Sequence, residues 1–306
     1  MIRDKKMHAS WIVNRFCNFR CPYCMVSDED RGNADLIGNP DIEQAIRFFN
    51  NTGSWTINMT GGEPFMHPKF IELCQGLTEN HIISMNTNLS SPKVYEFAEK
   101  IDPKKVAHIV CSLQIPMIEK YNLKDDYIKK FLLLEKKGFR VGSTVVMWPP
   151  LLAKFEEIYN EFKKSGIILT PSSFIGRYQD KIYPASYTKE EYNIIRKFTV
   201  EKNDDNPNIT KGKITYQGID CSAGSAHIII SEKGEVSRCH SDRKSLGNIY
   251  QKNVKLFPCP QKCTAKVCAC TWEGYLYSTG KPKIIIENFQ EKINCIKARI
   301  HSLKKI

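Results

Sequence analysis

The sequence predicts an α/β protein: an open, partial (β/α)6 TIM-like barrel followed by a small cysteine-rich C-terminal unit of hairpin, loops and helix. Three observations carry this reading. Six β-branched runs alternate with segments of helical period between Ile12 and Phe174. Hydrophobic residues make up 42% and charged residues 25% of the 306-residue chain, ordinary values for a folded globular protein. The cysteines crowd toward the end, seven of twelve lying after Asp220.

The strands read, in order, as His8–Asn14, Trp55–Met59, His81–Asn86, Val106–Leu113, Phe139–Met147 and Ile167–Phe174. They are rich in Val, Ile and Thr and mostly lack polar alternation, which predicts strands covered on both faces. Between them, Ile42, Ala45, Ile46 and Phe49 fall at helical spacing, as do Phe155, Ile158, Tyr159 and Phe162. Asn39-Pro40, Ser91-Pro92, Gly138 and Gly166 punctuate the units. Connections long enough to hold helices imply parallel strands, and six units are too few to close an eight-stranded barrel. A last helix is expected over Thr188–Lys202, then a polar break at Asn203–Pro207 that divides a core domain, 1–203, from a C-terminal domain, 204–306. There, His227–Ser231 and Glu235–Cys239 form a hairpin about a Glu232-Lys233-Gly234 turn, and Phe289, Ile293, Ile296, Ile300 and Leu303 make one stripe of a helical tail.

No apolar run approaches the roughly 18 residues needed to span a bilayer, and no signal-peptide core opens the chain, so a cytoplasmic protein without a membrane partner is expected. In that reducing compartment, clustered thiols bind metal or react. The net charge of +12 comes from a basic set in which 34 of 45 residues are lysine, the composition of a solvated surface. A nucleic-acid partner ranks last, since no dedicated module accompanies the charge.

Cys17, Cys21 and Cys24 form C-x3-C-x2-C directly after the first strand. Three thiolates on one loop suit a zinc or iron–sulfur centre. A closed zinc site normally takes four ligands, whereas a four-iron cluster on three cysteines keeps one iron open. In a parallel barrel this loop lies at the face where active sites are built. Thr60-Gly61-Gly62-Glu63-Pro64 follows the second strand, Asn86-Thr87-Asn88 ends the third and Ser112 ends the fourth. Over about residues 8–175 this set resembles the radical SAM superfamily, whose signature is the same cysteine spacing with an aromatic before the last cysteine, here Tyr23. The resemblance implies a [4Fe-4S] cluster on Cys17, Cys21 and Cys24 that binds S-adenosyl-L-methionine (SAM) at its open iron. It also implies SAM contacts at Tyr23, Gly61, Gly62 and Glu63, with Glu63 accepting from the methionine ammonium, and ribose contacts at Asn86, Asn88 and Ser112. Asn86, Asn88 and Ser112 equally suit helix caps. The implied chemistry is reductive cleavage of SAM to a 5′-deoxyadenosyl radical that abstracts hydrogen, fed by a flavodoxin- or ferredoxin-type donor.

Cys221 and Cys239 bracket the hairpin, and Cys259, Cys263, Cys268, Cys270 and Cys295 follow. This order resembles the SPASM and twitch extensions of radical SAM enzymes, although the later spacings depart from their usual run. It implies one auxiliary [4Fe-4S] cluster, on Cys221, Cys239 and two of Cys259–Cys270, or two clusters that use all seven thiols. A zinc knuckle within Cys259–Cys270 is the alternative. Cys74 and Cys111 read as small core residues. The function expected is an oxidoreductase-type enzyme taking hydrogen from a small molecule such as a sugar or antibiotic precursor, with oxidation or epimerisation as outcome. A maturase of ribosomal peptides is the alternative, and RNA modification ranks below it.

Overall fold

In the computed structural model, residues 7–199, 213–268, 278–280 and 283–285 are described. The polar break at 203–207, the helical tail, Cys270 and Cys295 lie outside them. Strands β1 (Met7–Asn14), β2 (Trp55–Gly61), β3 (Ile82–Thr87), β4 (Val106–Ser112), β5 (Val141–Met147) and β6 (Leu169–Ser173) are parallel neighbours in chain order. Helices α1 (Asp28–Gly32), α2 (Ile42–Thr52), α3 (Phe70–Asn80), α4 (Lys93–Lys100), α5 (Ile115–Tyr121), α6 (Lys124–Lys136) and α7 (Phe155–Lys164) fill the crossovers, and α8 (Lys189–Lys197) follows. This is the expected partial barrel. Among the described residues, no helix is long and apolar enough to cross a membrane.

Two strands begin later than their sequence suggests, for one reason. Phe139 N–H donates to the Leu134 carbonyl at 3.1 Å, and Ile167 N–H to that of Phe162 at 3.0 Å, each across a glycine of positive φ, Gly138 at 91° and Gly166 at 83°. Both residues complete the C-terminal caps of α6 and α7 before their strands start.

The strands are not covered alike on both faces. In β2, Trp55, Ile57 and Met59 are buried while Thr56, Asn58 and Thr60 are half-buried. The buried face is the outer one: the Phe49 ring of α2 meets Trp11 at 5.8 Å and Trp55 at 5.6 Å, and Tyr127 of α6 hydrogen-bonds the Cys111 carbonyl and Ser143. The other, concave face, with Ser10, Asn58, Asn86, Ser112 and Thr144, is half-buried among the described residues. Valines at Val110 and Val146 on this face hide the alternation from a hydropathy reading. Cys74 and Cys111 are buried in the core, as expected.

Beyond α7, β7 (Gly176–Tyr178) and β8 (Lys181–Tyr183) form a small hairpin. They are followed by β9 (Lys213–Thr215), β10 (Asp220–Cys221), β11 (His227–Ile230), β12 (Glu235–Ser237) and β13 (Ser245–Asn248). The expected hairpin is present as β11 and β12, turning at Gly234 with φ 79°. It does not stand apart from the barrel. β11 pairs in parallel with β1, His8 opposite His227 and Trp11 opposite Ile230, so that nine strands run β13-β12-β11-β1 to β6 among the described residues. An open sheet leaves the edge of β1 with unpaired amides and carbonyls, and β11 satisfies them. Ile228, Ile230, Val236, Leu246 and Ile249 join the same core as the barrel.

Candidate active site

The loop carrying Cys17, Cys21 and Cys24 leaves the C-terminal end of β1 and returns into α1. Two arginines hold its backbone. Arg20 Nη1 donates to the carbonyls of Cys17 at 2.5 Å and Phe19 at 2.9 Å, and Arg31 Nη1 to that of Cys21 at 3.1 Å. Arg31 also pairs with Asp28, and its carbonyl accepts from Cys17 N–H at 2.9 Å. Ser27 caps α1, which fixes where Arg31 projects.

Cys17 and Cys21 are buried and Cys24 is exposed. Burial, countered by a backbone N–H from Phe19, pushes the Cys17 thiol up to about 11. Burial and the neighbouring Cys24 and Cys17 push Cys21 up to about 12. Such thiols do not ionise unaided, so the loop suits a cationic centre that offsets three thiolates together. A cavity of about 420 Å³ beside the loop is lined by Arg20, Cys21, Cys24, Asp28 and Arg31, with Cys17 outside its lining. Among the described residues, no three Cys, His, Asp or Glu side chains converge on a single metal ion. In a four-iron cluster each thiolate takes its own iron, so the three need not meet at one point. Three soft thiolate donors on one loop, close enough for Cys24 to act on both Cys17 and Cys21, are a donor set that fits such a cluster. Tyr23 is buried, donates to Gln114 Oε1 at 2.8 Å and lies 5.6 Å from the Trp148 ring. Burial raises its hydroxyl well above the usual phenol value, which keeps it a donor.

Gly61 and Gly62 bring the β2 end against this loop backbone to backbone. Gly62 N–H donates to the Asn14 carbonyl at 3.1 Å and Glu63 N–H to that of Phe16 at 2.9 Å. A Cβ on Gly61 would stand 2.1 Å from the Asn14 oxygen, and one on Gly62 2.1 Å from the Phe16 oxygen. The glycines thus serve the cysteine loop itself, whatever else approaches them. Gly62→Ala must push that loop away. The expected outcome is a loss of about 1–3 kcal/mol in stability, read by thermal melting, together with loss of most reconstituted iron from the loop.

Glu63 is 1% exposed and surrounded by its own chain's donors. Its Oε1 accepts from Thr87 Oγ1 at 2.7 Å and Phe65 N–H at 3.2 Å, and its Oε2 from Asn88 N–H at 2.6 Å. Oε2 keeps an acceptor direction for an ammonium. Burial, opposed by these bonds and by Lys130, pushes the carboxyl up to about 7. Asn88 is taken up locally: its Oδ1 accepts from Ser90 N–H at 2.9 Å, and its Nδ2 reaches Asn18 Oδ1 at 3.3 Å and the Cys17 Sγ at 3.9 Å. Asn86 and Ser112 stand apart from that turn on the concave face of β3 and β4. Leu89, next in the turn, holds φ 57° while fully buried, and the buried Lys130 Nζ fixes the turn by donating to the Ser90 carbonyl at 3.1 Å.

Arg20, Arg31 and Lys130 escaped the sequence reading. Lys130 and Arg31 each left one local signal, an i,i+4 pair with Asp126 and an i,i+3 pair with Asp28 on their helices.

The described cysteines of the second group lie near the opposite edge of the sheet. Cys221, in β10, pairs with Gln261, and Cys263 N–H donates to the Ile219 carbonyl at 2.8 Å. Cys239 follows β12, its Sγ accepting from Asp242 N–H at 3.2 Å. The buried Arg238 stitches these segments together, donating to the carbonyls of Ala223, Gln261 and Lys262 at 3.0–3.1 Å and pairing with Asp242. Cys259 is exposed, and Cys263 and Cys268 are half-buried. Arg238, too, carried no signal beyond standing beside a cysteine.

Comparison with known proteins agrees with this geometry. Residues 11–162 match the profile of the Radical SAM superfamily. A GTP 3′,8-cyclase of Photorhabdus laumondii is 37% identical over 72 residues, 23% of this chain and 22% of that protein. A probable GTP 3′,8-cyclase of Archaeoglobus fulgidus is 29% identical over 109 residues, 36% of each chain. The matched stretches thus span about a fifth to a third of these curated relatives. Among solved structures, Streptococcus suis SuiB bound to precursor peptide SuiA superposes with a TM-score of 0.54 at 16% identity, covering 81% of this chain and 63% of that one. anSMEcpe with bound AdoMet superposes with a TM-score of 0.57 at 16% identity, covering 80% and 79%. Residues 11–162 are a radical SAM domain.

Proposed function

We propose that this enzyme cleaves SAM reductively and takes a hydrogen atom from a small molecule held against the concave face of the barrel, giving oxidation or epimerisation. The observation that carries the reading is the loop of Cys17, Cys21 and Cys24 locked by the Gly61-Gly62-Glu63 turn at the mouth of that face. When bound, a [4Fe-4S] cluster and SAM supply one-electron chemistry and a 5′-deoxyadenosyl radical. The chain's own residues do the rest. Arg20 and Arg31 hold the thiols in place, the Thr87–Ser90 turn steadies Glu63, and the half-buried Asn86 and Ser112 offer polar contacts to a ribose or a substrate. Tyr23 and Trp148 wall off water on one side.

Cys221, Cys239, Cys259 and Cys263 are assigned to an auxiliary cluster, supported by the pairing of β10 with residues 261–262 and by Arg238. β1 separates the two cysteine groups along its length: His8 to Asn14 covers about 20 Å at ~3.3 Å per residue. A substrate between them can pass an electron to the far group. In the two-cluster alternative, Cys270 joins Cys221 and Cys239 on one cluster while Cys259, Cys263, Cys268 and Cys295 hold the other.

Modification of a peptide is the second reading. It is favoured by the SuiA peptide bound in SuiB and by the peptides in other structures of anSMEcpe, although at 16% identity those likenesses carry the fold alone. The test is direct. Anaerobically reconstituted protein given dithionite and SAM yields 5′-deoxyadenosine by chromatography, and holds about 8 irons with one auxiliary cluster or about 12 with two, at four per cluster. An intact, reducible cluster without 5′-deoxyadenosine would sink the proposal. Deuterium transfer from labelled candidates into 5′-deoxyadenosine then separates small molecules from peptides.

A further inference from the structure

We infer that Glu232, at the turn of the C-terminal hairpin, is a positioning residue for the cysteine loop, acting on it through Arg15. The inference rests on the proposed cluster. Because β1 and β11 are parallel and Trp11 stands opposite Ile230, both strands deliver their next residues to the same edge of the sheet. Arg15 comes just after Asn14, and Glu232 two residues after Ile230. There Arg15 Nε lies 3.0 Å from Glu232 Oε2, with the two side chains only 8% and 3% exposed. Neither atom makes an aligned hydrogen bond, so the contact is one of charge on charge. Asp30 Oδ2, at 3.8 Å and 35% exposed, is the other carboxylate facing Arg15.

Arg15 is embedded in the machinery of the loop. It stands two residues before Cys17, its N–H donates to the Leu36 carbonyl at 2.8 Å, and its own carbonyl lies 2.5 Å from where a Gly62 Cβ would be. A buried ion pair adds little net stability, yet removing one partner strands a charge in a medium of low dielectric. Without Glu232 the Arg15 guanidinium, two residues before Cys17 in the chain, remains only partly balanced by Asp30. An added positive charge there favours the reduced, more negative state of any redox centre on the loop. It also pulls Arg15, and with it the loop, toward new partners. The hairpin spans from this contact to Arg238 at its other end, so one rigid element joins the two cysteine groups.

The test compares wild type, Glu232→Gln and the double variant Arg15→Gln/Glu232→Gln, each reconstituted anaerobically. Potentiometric titration followed by electron paramagnetic resonance gives the midpoint potential of the SAM-binding cluster, and a chelator gives the rate of iron release. Glu232→Gln is expected to shift the midpoint positive and to release iron several-fold faster. The double variant, which removes both charges, returns the midpoint toward the wild-type value. Glu232→Gln that titrates and releases iron like wild type overturns the inference. Should Glu232→Gln fail to fold, the double variant decides: recovery with a wild-type potential upholds the pairing, and failure to recover overturns it. Wild type that assembles no reducible cluster overturns the proposed function instead.

Discussion

With Cys17, Cys21 and Cys24 all changed to alanine, 5′-deoxyadenosine formation is expected to fall to background while the C-terminal cysteines keep their iron. The three thiols share one loop, and among the described residues Cys221 and Cys239 lie by the far edge of the sheet. The variant should therefore lose about four irons, one cluster's complement, and retain the rest. Its fold should survive, because the loop is held by Arg20, Arg31 and the Gly62 and Glu63 amides, none of which needs a thiol. The costs are two small side chains removed from buried positions, Cys17 and Cys21. Iron assay, circular dichroism and chromatography decide the matter together. A folded variant with wild-type iron content contradicts the loop assignment, and a folded variant with none contradicts the auxiliary cluster.

Much of this site was legible because its chemistry is local in sequence. The spacing of Cys17, Cys21 and Cys24 and the run Gly61-Gly62-Glu63 each fall on one strand-to-helix loop, and β1 to β6 announce themselves by β-branched runs. What escaped was long-range. Nothing in His227–Ile230 tells that it pairs with a strand more than two hundred residues earlier, since period and propensity specify a strand but not its neighbour. For the same reason Glu232 looked like an ordinary turn residue and Arg15 like an ordinary arginine. The two-faced burial of the strands was missed because Val110 and Val146 sit on the concave face, where hydropathy alone places them in a core. Glu63 was read through the ligand it meets in a resembling family, which gave no sight of Thr87, Asn88 and Phe65 already bound to it.

That crowding makes Glu63→Gln the second large effect. A carboxylate accepts from all three donors, whereas an amide must turn its NH2 toward Asn88 N–H or toward Phe65 N–H and Thr87. Hydrogen bonds to a charged group are worth about 1.5–3 kcal/mol, so SAM affinity is expected to drop roughly 10- to 100-fold at pH 8. Equilibrium dialysis against SAM measures it. The pH dependence is the sharper test, because the sign is unusual for a carboxylate. Burial holds Glu63 near 7 in the folded protein against an ordinary 4.5, despite Lys130 nearby and with Cys17 and Cys111 as further thiols facing it. The folded state therefore keeps a proton that the unfolded state has lost. Stability from this group is fully present below pH 4.5, declines as pH rises to about 7 by about 3 kcal/mol, and is level above that. Glu63→Gln has no such proton, so its melting temperature should fall less steeply over that window, the difference between the two curves isolating Glu63 from the histidines. SAM binding should show the mirror image, strengthening for wild type from pH 6 to 8 as the carboxylate ionises and staying flat for the variant. Two melting curves that run parallel from pH 4.5 to 7 would show that Glu63 is already ionised in the folded protein. The carboxylate would then act as a permanent charge held by Thr87 and Asn88, and not as a group whose ionisation is coupled to the arrival of the ammonium.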